Sequence, residues 1–385
     1  MHAVLRRHMD EKLKGKVLHQ LPVIVSLLLL IILLCLPTGY EGALLYQDAQ
    51  RCRVKVLKTD NDTIVSAGLI KTGEQLCTVE LLNGKFKGRI VEAVNMLNGS
   101  MEKDKIYSVG DKAMIIVSHR EDKIISASMI DIYRIDKEII LAGIFVVFLI
   151  LFAGKTGIRA ILSFIVTVLM LWKILIPGYL GGTNPVILGF IITAVLTIVI
   201  ISLVYGFDRR AASAIAGAML GIITTLILGV VFTDLFQIHG AVMAYSESLL
   251  YSGYMNLNLT QIFMSGIFIG ASGAVMDLAV DITSSVHEVV GKKKDIRWKE
   301  ATLSGIRVGR ASVGTMTTTL LLAYSGGYIA LLMVFMAQGT PIYNILNLKY
   351  VAAEILDTMV GSIGLVTVAP FTALTSGMML TRGNK

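Results

Sequence analysis

The sequence predicts an α-helical polytopic membrane protein with about eight transmembrane helices and a small extracytoplasmic domain like an OB or SH3 β-barrel. Three observations support this fold class. Hydrophobic residues make up 55% of the 385-residue chain, and they form blocks long enough to cross the ~30 Å hydrocarbon core of a bilayer. Residues 40–137 lack such blocks and alternate apolar with charged side chains. Lys and Arg collect on one side of the predicted spans.

The first predicted span is an anchor helix at 20–37, which follows a basic segment at 1–19. A secretory signal has similar features, but no small-x-small cleavage site follows, so we expect an uncleaved anchor. A transmembrane domain of about seven helices is predicted at 139–380, before a short tail at 381–385. Its spans are predicted at 139–154, 158–176, 185–205, 211–232, 259–281, 303–338 and 352–380.

The basic residues predict the orientation of the chain. The formal net charge is +8, and one side of the spans carries nearly all the cations outside 40–137. These are Arg6, Arg7, Lys12, Lys14, Lys16, Lys155, Arg159, Arg209, Arg210, Lys292, Lys293, Lys294, Arg297, Lys299, Arg307, Arg310, Arg382 and Lys385. Positive charge favours the cytoplasmic side, so both termini are predicted there and residues 40–137 outside. The lipid bilayer is the expected partner, and nucleic acid is not.

Alternation of period two marks the strands of the outer domain. In the first predicted strand, Cys52, Val54 and Val56 share one face, while Arg53 and Lys55 share the other. Such a strand is buried on one side only.

Turn residues and further strands complete the predicted barrel. Asn83-Gly84 predicts a tight hairpin, with the return strand at 87–94 and two more strands at 113–118 and 123–133. A barrel of this kind either packs on its neighbours or recognises a partner, and its aromatic residues are too scattered to predict a binding surface. A disulfide between Cys52 and the second cysteine of this region, Cys77, stays open.

An acidic stripe is the strongest candidate site. Asp277, Asp281, Ser284 and Glu288 fall within about 60° of one another on a helix. Two like charges one turn apart repel, so we expect this stripe to face the protein interior and to bind a cation or a proton. The alternative is a helix end in water, close to the basic run at 292–294.

A second polar group precedes and follows a predicted helix break. Thr315 and Thr318 come before Ser325-Gly326-Gly327, and Glu354 and Asp357 begin the last span. Glycines inside a long apolar stretch predict a discontinuous helix, which transporters use to build binding sites. The predicted topology places these two acids far from the acidic stripe, so we expect two ends of one path rather than a single cage.

Enzyme motifs are incomplete or absent. His287-Glu288 begins like a zinc-protease HExxH motif, but Gly291 replaces the second histidine. The sequence has no P-loop and no GxSxG. We therefore expect no enzymatic activity and no cofactor beyond a bound cation, whose identity stays open.

Three glycine-rich stretches resemble a known family. GASGAVMDLAVDITSSVHEV, GRASVGTMTTTLLLAY and GSIGLVTVAPFTAL are similar to sequences of the YibE/F-like family of bacterial multi-pass membrane proteins, over residues 139–380. The resemblance implies a permease-like protein of the bacterial cytoplasmic membrane. It assigns no substrate, mechanism or binding residue.

The leading expectation is a secondary transporter that binds a cation or proton through its acidic residues. The alternative is a non-transporting envelope scaffold or sensor whose outer β-domain binds a partner. A homo-oligomer and a second membrane subunit both stay open as protein partners.

Overall fold

The structure is a computed structural model and describes residues 20–37 and 49–382. The chain divides into two compact units, one at 40–151 and one formed by 1–39 together with 152–385. The predicted segment at 1–19 lies outside the described residues, as do residues 38–48 and 383–385.

The first unit contains a closed β-barrel. Its strands are β1 Ala49–Asp60, β2 Val65–Ala67, β3 Ile70–Leu81, β4 Ile90–Asn98, β5 Lys112–Arg120 and β6 Lys123–Ile132. Five of them pair in the order β1-β5-β6-β4-β3 and close through β1–β3, while β2 adds to β3. All pairs are antiparallel except β4–β6. Numbered among themselves, the five barrel strands follow the order 1-2-3-5-4, which is that of an OB-type barrel. This agrees with one of the two barrel types expected from the sequence.

The predicted alternation in β1 is confirmed. Cys52, Val54 and Val56 are buried, and Lys55 between them is exposed. The predicted tight hairpin at Asn83-Gly84 is wrong in its length, because eight residues connect β3 to β4. Gly84 does adopt a positive φ of 84°, but the Asn83 side chain instead accepts a hydrogen bond of 2.6 Å from the Arg53 backbone N–H. It thereby ties the connection to β1.

The two barrel cysteines are free and buried. Cys77 lies opposite Thr59 of β1, whereas Cys52 is near the start of that strand. At about 3.3 Å per residue the two positions are about 20 Å apart along β1, which is too far for a disulfide. Burial raises the pKa of Cys77 to about 11, so the thiol stays protonated and unreactive at neutral pH.

A buried amide organises the interior of the barrel. Gln75 is fully buried, and its Nε2 donates to Asn61 Oδ1 at 2.8 Å and to the Tyr107 carbonyl at 2.9 Å. Its Oε1 accepts from the Tyr107 N–H at 2.9 Å and from Asn95 Nδ2 at 3.1 Å. Every polar atom of this side chain therefore has a partner, which a buried amide requires.

Eleven α-helices and one π turn form most of the rest of the described chain. They are α1 Gln20–Cys35, α2 Ile135–Met170, α3 Ile176–Leu180, α4 Pro185–Tyr205, α5 Arg209–Leu235, α6 Ser246–Tyr251, α7 Leu259–Lys292, α8 Trp298–Ser325, α9 Ile329–Ala337, α10 Ile342–Asn347 and α11 Lys349–Thr381, with a π turn at Leu171–Leu175 between α2 and α3. Short 3₁₀ turns occur at Gly240–Val242 and Gly326–Tyr328.

Six of the described helical segments are long and apolar enough to cross a membrane. They are Ile135–Leu180, Pro185–Tyr205, Arg209–Leu235, Leu259–Lys292, Trp298–Ala337 and Lys349–Thr381. The first of them is 46 residues long and covers two predicted spans, with a break at Gly154 (φ 55°, ψ −124°). Helix α1 is shorter and also apolar. The predicted break at Ser325-Gly326-Gly327 is confirmed by the 3₁₀ turn between α8 and α9.

Small residues bring α5, α7, α8 and α11 together. A Cβ added at Gly217 or Gly364 would overlap a threonine hydroxyl of the facing helix, Thr372 or Thr225 respectively. Glycines at such contacts let helix backbones approach closely, which is typical of packing inside membranes. Side-chain hydroxyls join the same helices, since the Thr283 and Ser376 hydroxyls are 2.9 Å apart.

We expect the barrel domain to fold alone. It has its own closed sheet and a core of thirteen buried residues, so its strands need no pairing partner from elsewhere. Expressed as residues 42–136, it should give a β-type circular dichroism spectrum and one cooperative thermal transition, with or without a reductant. A disordered fragment, or one that needs oxidation to fold, would contradict this prediction.

The glycine contacts predict a second result. Replacing Gly364 by Val should lower the melting temperature of the detergent-purified protein by about 5 °C, because the added methyl groups push α5 and α11 apart. Gly143→Val is the matched control, since a Cβ there would meet open space. Equal melting temperatures for the two variants would show that the close α5–α11 contact is not needed.

Candidate functional site

The acidic stripe of α7 lies on an exposed face of its helix. Asp277, Asp281, Ser284 and Glu288 are all exposed, whereas Leu278, Ile282 and Val286 on the other side are fully buried. The expectation that the stripe faces the interior of the chain is therefore wrong. The apolar side of α7 packs against the other helices because burying it removes apolar surface, while burying unpaired carboxylates is costly.

The members of the stripe differ in their partners. The Tyr205 hydroxyl of α4 donates its proton to the Val280 carbonyl at 2.5 Å. Because that proton is used, the Ser284 hydroxyl is the donor in its 2.7 Å hydrogen bond to the Tyr205 oxygen. Glu288 pairs with Lys292 at 3.9 Å on the exposed end of the helix. The carboxylates of Asp277 and Asp281 form neither a hydrogen bond nor an ion pair with any residue that the structure describes.

The two threonines of α8 do not join this stripe. Thr315 donates to the Ser312 carbonyl at 3.0 Å, and Thr318 donates to the Gly314 carbonyl at 3.2 Å. Both hydroxyls are thus satisfied by their own helix, and both residues are exposed. Within residues 20–37 and 49–382, no group of three or more His, Cys, Asp and Glu side chains could hold a metal ion.

The other predicted acids form a half-buried pair on α11. Glu354 and Asp357 are one turn apart and interact electrostatically. Glu354 Oε1 and Asp357 Oδ1 are inaccessible to solvent and have no hydrogen-bond partner. No Lys, Arg or His among the described residues forms an ion pair with either acid. The negative charge of this acid pair is therefore uncompensated by side chains.

Two tyrosines from the helix break cover the acid pair. Tyr324, at the end of α8, lies close enough to interact with both carboxylates, and its buried hydroxyl has no partner. Tyr328, in the 3₁₀ turn, interacts with the Glu354 carboxylate. Neither tyrosine was predicted from the sequence as a site residue. Their position on either side of Ser325-Gly326-Gly327 was the signal that could have found them.

Glycines of α7 and α11 make room for this arrangement. A Cβ at Gly270 would be 2.9 Å from the Tyr324 hydroxyl oxygen, and one at Gly361 would be 3.4 Å from Ala271 Cβ. Helices α7, α8 and α11 thus meet at the acid pair. Asp281 is eleven residues further along α7 than Gly270, about 16 Å at 1.5 Å per residue. The structure therefore keeps the two acidic groups apart, as expected from the sequence.

An apolar cavity of about 260 Å³ borders the acid pair. Glu354, Tyr328 and Ser325 line it on one side. Leucine, isoleucine and valine side chains of α8 to α11, with Thr358 and Met359, line the remainder. The carboxylate is thus set in a largely apolar wall, where a charge is poorly solvated.

Comparison with family sequences covers both units. The family described as YibE/F-like protein matches residues 141–382. The chain belongs to the YibE/F-like family. The YibE/F family N-terminal domain matches residues 45–132, which include all six strands of the first unit. The family resemblance found in the sequence is therefore confirmed, and every candidate site residue lies in the YibE/F-like region. No curated protein and no solved structure matches the chain.

Proposed function

We propose that this YibE/F-like protein is a permease-like secondary transporter, and that Glu354 and Asp357 bind the coupling proton or another monovalent cation. The observation that carries the proposal is the acid pair itself. Two neighbouring carboxylates have buried, unpartnered oxygens and no basic side chain to neutralise them. A mobile positive charge is the simplest way to compensate such a pair.

The ligand set favours a proton over a divalent metal. Ca²⁺ takes six to eight oxygen ligands, and Mg²⁺ takes six. The acid pair and its two tyrosines carry six oxygens in all, and two of these belong to neutral phenols, which are not among the carboxylate, carbonyl and water ligands that these ions prefer. A proton needs only two carboxylates that cannot both ionise at low cost, and the phenol hydroxyls can donate to whichever carboxylate remains charged.

The helix break supports a transport role. The 3₁₀ turn at Gly326–Tyr328 interrupts a 40-residue apolar segment beside the acid pair, and the short helices α9 and α10 follow it. Transporters build their binding sites at such interruptions, because the broken helix can change shape while the surrounding bundle stays packed.

We also propose an eight-span topology in the bacterial cytoplasmic membrane with both termini inside. Six helical segments are long enough to span. Counting α1 as an anchor and dividing the 46-residue segment at Gly154 adds two. The basic residues then fall on the cytoplasmic side, and the barrel domain falls outside.

Cysteine labelling tests this topology. In a Cys35→Ala background, Lys103→Cys should react in intact cells with a membrane-impermeant maleimide, while Lys293→Cys should react only after permeabilisation. Both lysines are exposed, so failure to label does not follow from burial. The reverse pattern would contradict the orientation, and labelling of both sites in intact cells would contradict the assignment of opposite sides.

Neutral variants of the acid pair test transport. A deletion strain carrying the wild-type gene should regain its normal internal solute and ion profile, whereas Glu354→Gln with Asp357→Asn should fail at equal membrane abundance. Both replacements keep side-chain shape but cannot bind a titrating proton. Asp234→Asn, an exposed acid at the end of α5, is the matched control and should restore the profile.

The same experiment separates the two functions considered. A scaffold or sensor whose barrel domain recognises a partner should tolerate the double neutral variant. Full restoration by that variant would therefore overturn the transporter proposal and favour the scaffold.

A further inference from the structure

The exposed face of α7 does not suit a lipid environment. Asp277 lies close to the middle of the helix and Asp281 one turn further, and both carboxylates are exposed and unpaired with any described residue. Gly266 and Gly273 on the same face have open space around them. Carboxylates exposed to hydrocarbon are costly, and glycines offer lipid little surface to contact. Something other than lipid must cover this face.

The neighbouring helix α8 has a matching exposed face. Arg307, Ala311, Gly314 and Thr318 recur at spacings of three or four residues, so they share one side of the helix. All four are exposed, as is Arg310 beside them. Neither arginine forms an ion pair with a residue that the structure describes.

The two faces carry opposite charges at the same depth. Helices α7 and α8 pack against each other, and a Cβ at Gly309 would be 3.1 Å from Ile282 Cδ1. Asp281 precedes Ile282 in the chain and Arg310 follows Gly309. Asp281 and Arg310 therefore lie at the same depth along the helix pair. Arg307 lies one turn further toward the end of α7. Together, Asp277 and Asp281 balance the charge of the two arginines.

We propose that the α7–α8 face is the interface between two copies of this chain, with Arg310 of each copy contacting Asp281 of the other. A two-fold axis along the membrane normal keeps residues at equal depth, so level acids and bases in one copy can meet their counterparts in the second. This surface is self-complementary, which a two-fold interface requires. The small residues on both helices allow close approach.

This inference is separate from the proposed transport function. The acid pair at Glu354 and Asp357 lies on α11 under the tyrosines of the helix break, about 16 Å along the bundle from Asp281. A second copy would neutralise the acidic stripe without reaching that pair. The dimer experiment below measures no transport, so either proposal can fail alone.

Cross-linking between two tagged copies tests the interface. In a Cys35→Ala background, one copy carries Asp281→Cys and the other, with a different tag, carries Arg310→Cys. An arginine–carboxylate pair holds its backbones too far apart for a disulfide, so a short-spacer bismaleimide is used in native membranes. We expect a product with both tags that requires both introduced cysteines. The buried Cys52 and Cys77 remain and provide the background measurement.

A matched control tests whether the cross-link is specific to this face. Moving the cysteine from position 281 to Ile227, an exposed residue of α5, should abolish the product. Charge reversal by Asp281→Arg should lower roughly tenfold the cross-linking between Asp277→Cys in one copy and Gly314→Cys in the other, two positions level with each other one turn from the Asp281–Arg310 contact. Combining Asp281→Arg with Arg310→Asp should restore it, which shows that a loss does not arise from misfolding.

Two results would overturn the proposal. One is a cross-link that forms only when both cysteines are in the same chain, because the pairing would then be internal. The other is free reaction of the cysteine at 281 with a water-soluble maleimide and no two-tag product, because the face would then line water rather than a second copy.

Discussion

The hydrocarbon core of a membrane supplies no hydrogen bonds and no counter-charges, and this constraint governs the helical part of the protein. Backbone groups satisfy it by forming helices. Most threonine and serine hydroxyls satisfy it by donating to carbonyls one turn earlier, as Thr197 and Thr225 do. Glycine then lets the helices approach closely enough to replace lipid contacts with contacts between helices. The bundle of α5, α7, α8 and α11 follows from these three solutions.

The carboxylates are the exceptions, and they occur in two distinct settings. The acid pair of α11 lies among three helices, beside two tyrosines, glycines and largely apolar side chains. The stripe of α7 lies on an exposed face, where Asp281 is at the same depth as Arg310 of α8. The first setting favours a small mobile cation, because nothing fixed is available to neutralise it. The second favours a fixed partner, because its charges are matched by groups of the opposite sign on a neighbouring helix.

Local patterns predicted the elements of this protein well. Alternation identified β1, and the glycines at 326 and 327 identified the helix break. Contacts between distant segments were not available from the sequence. The β3–β4 connection is longer than Asn83-Gly84 suggested because Asn83 binds Arg53, thirty residues away. Likewise, a helical wheel showed that the four polar residues of α7 share a face, but the packing of α5 and α11 on the opposite face decided which side is exposed. Tyr324 and Tyr328 were missed because tyrosine beside an apolar run is common.

The order of strands in the barrel has a consequence for synthesis. Strand β6 bridges β5 and β4 and so closes the barrel, yet it is the last strand in the chain and ends at Ile132, just before α2 begins at Ile135. A nascent chain emerges from its N-terminus, so the barrel stays open until its final strand is released. By then the first long apolar helix is entering the insertion machinery. Until β6 is released, the other strands therefore form an open sheet with unpaired edges, and the interval ends just as the first apolar helix follows.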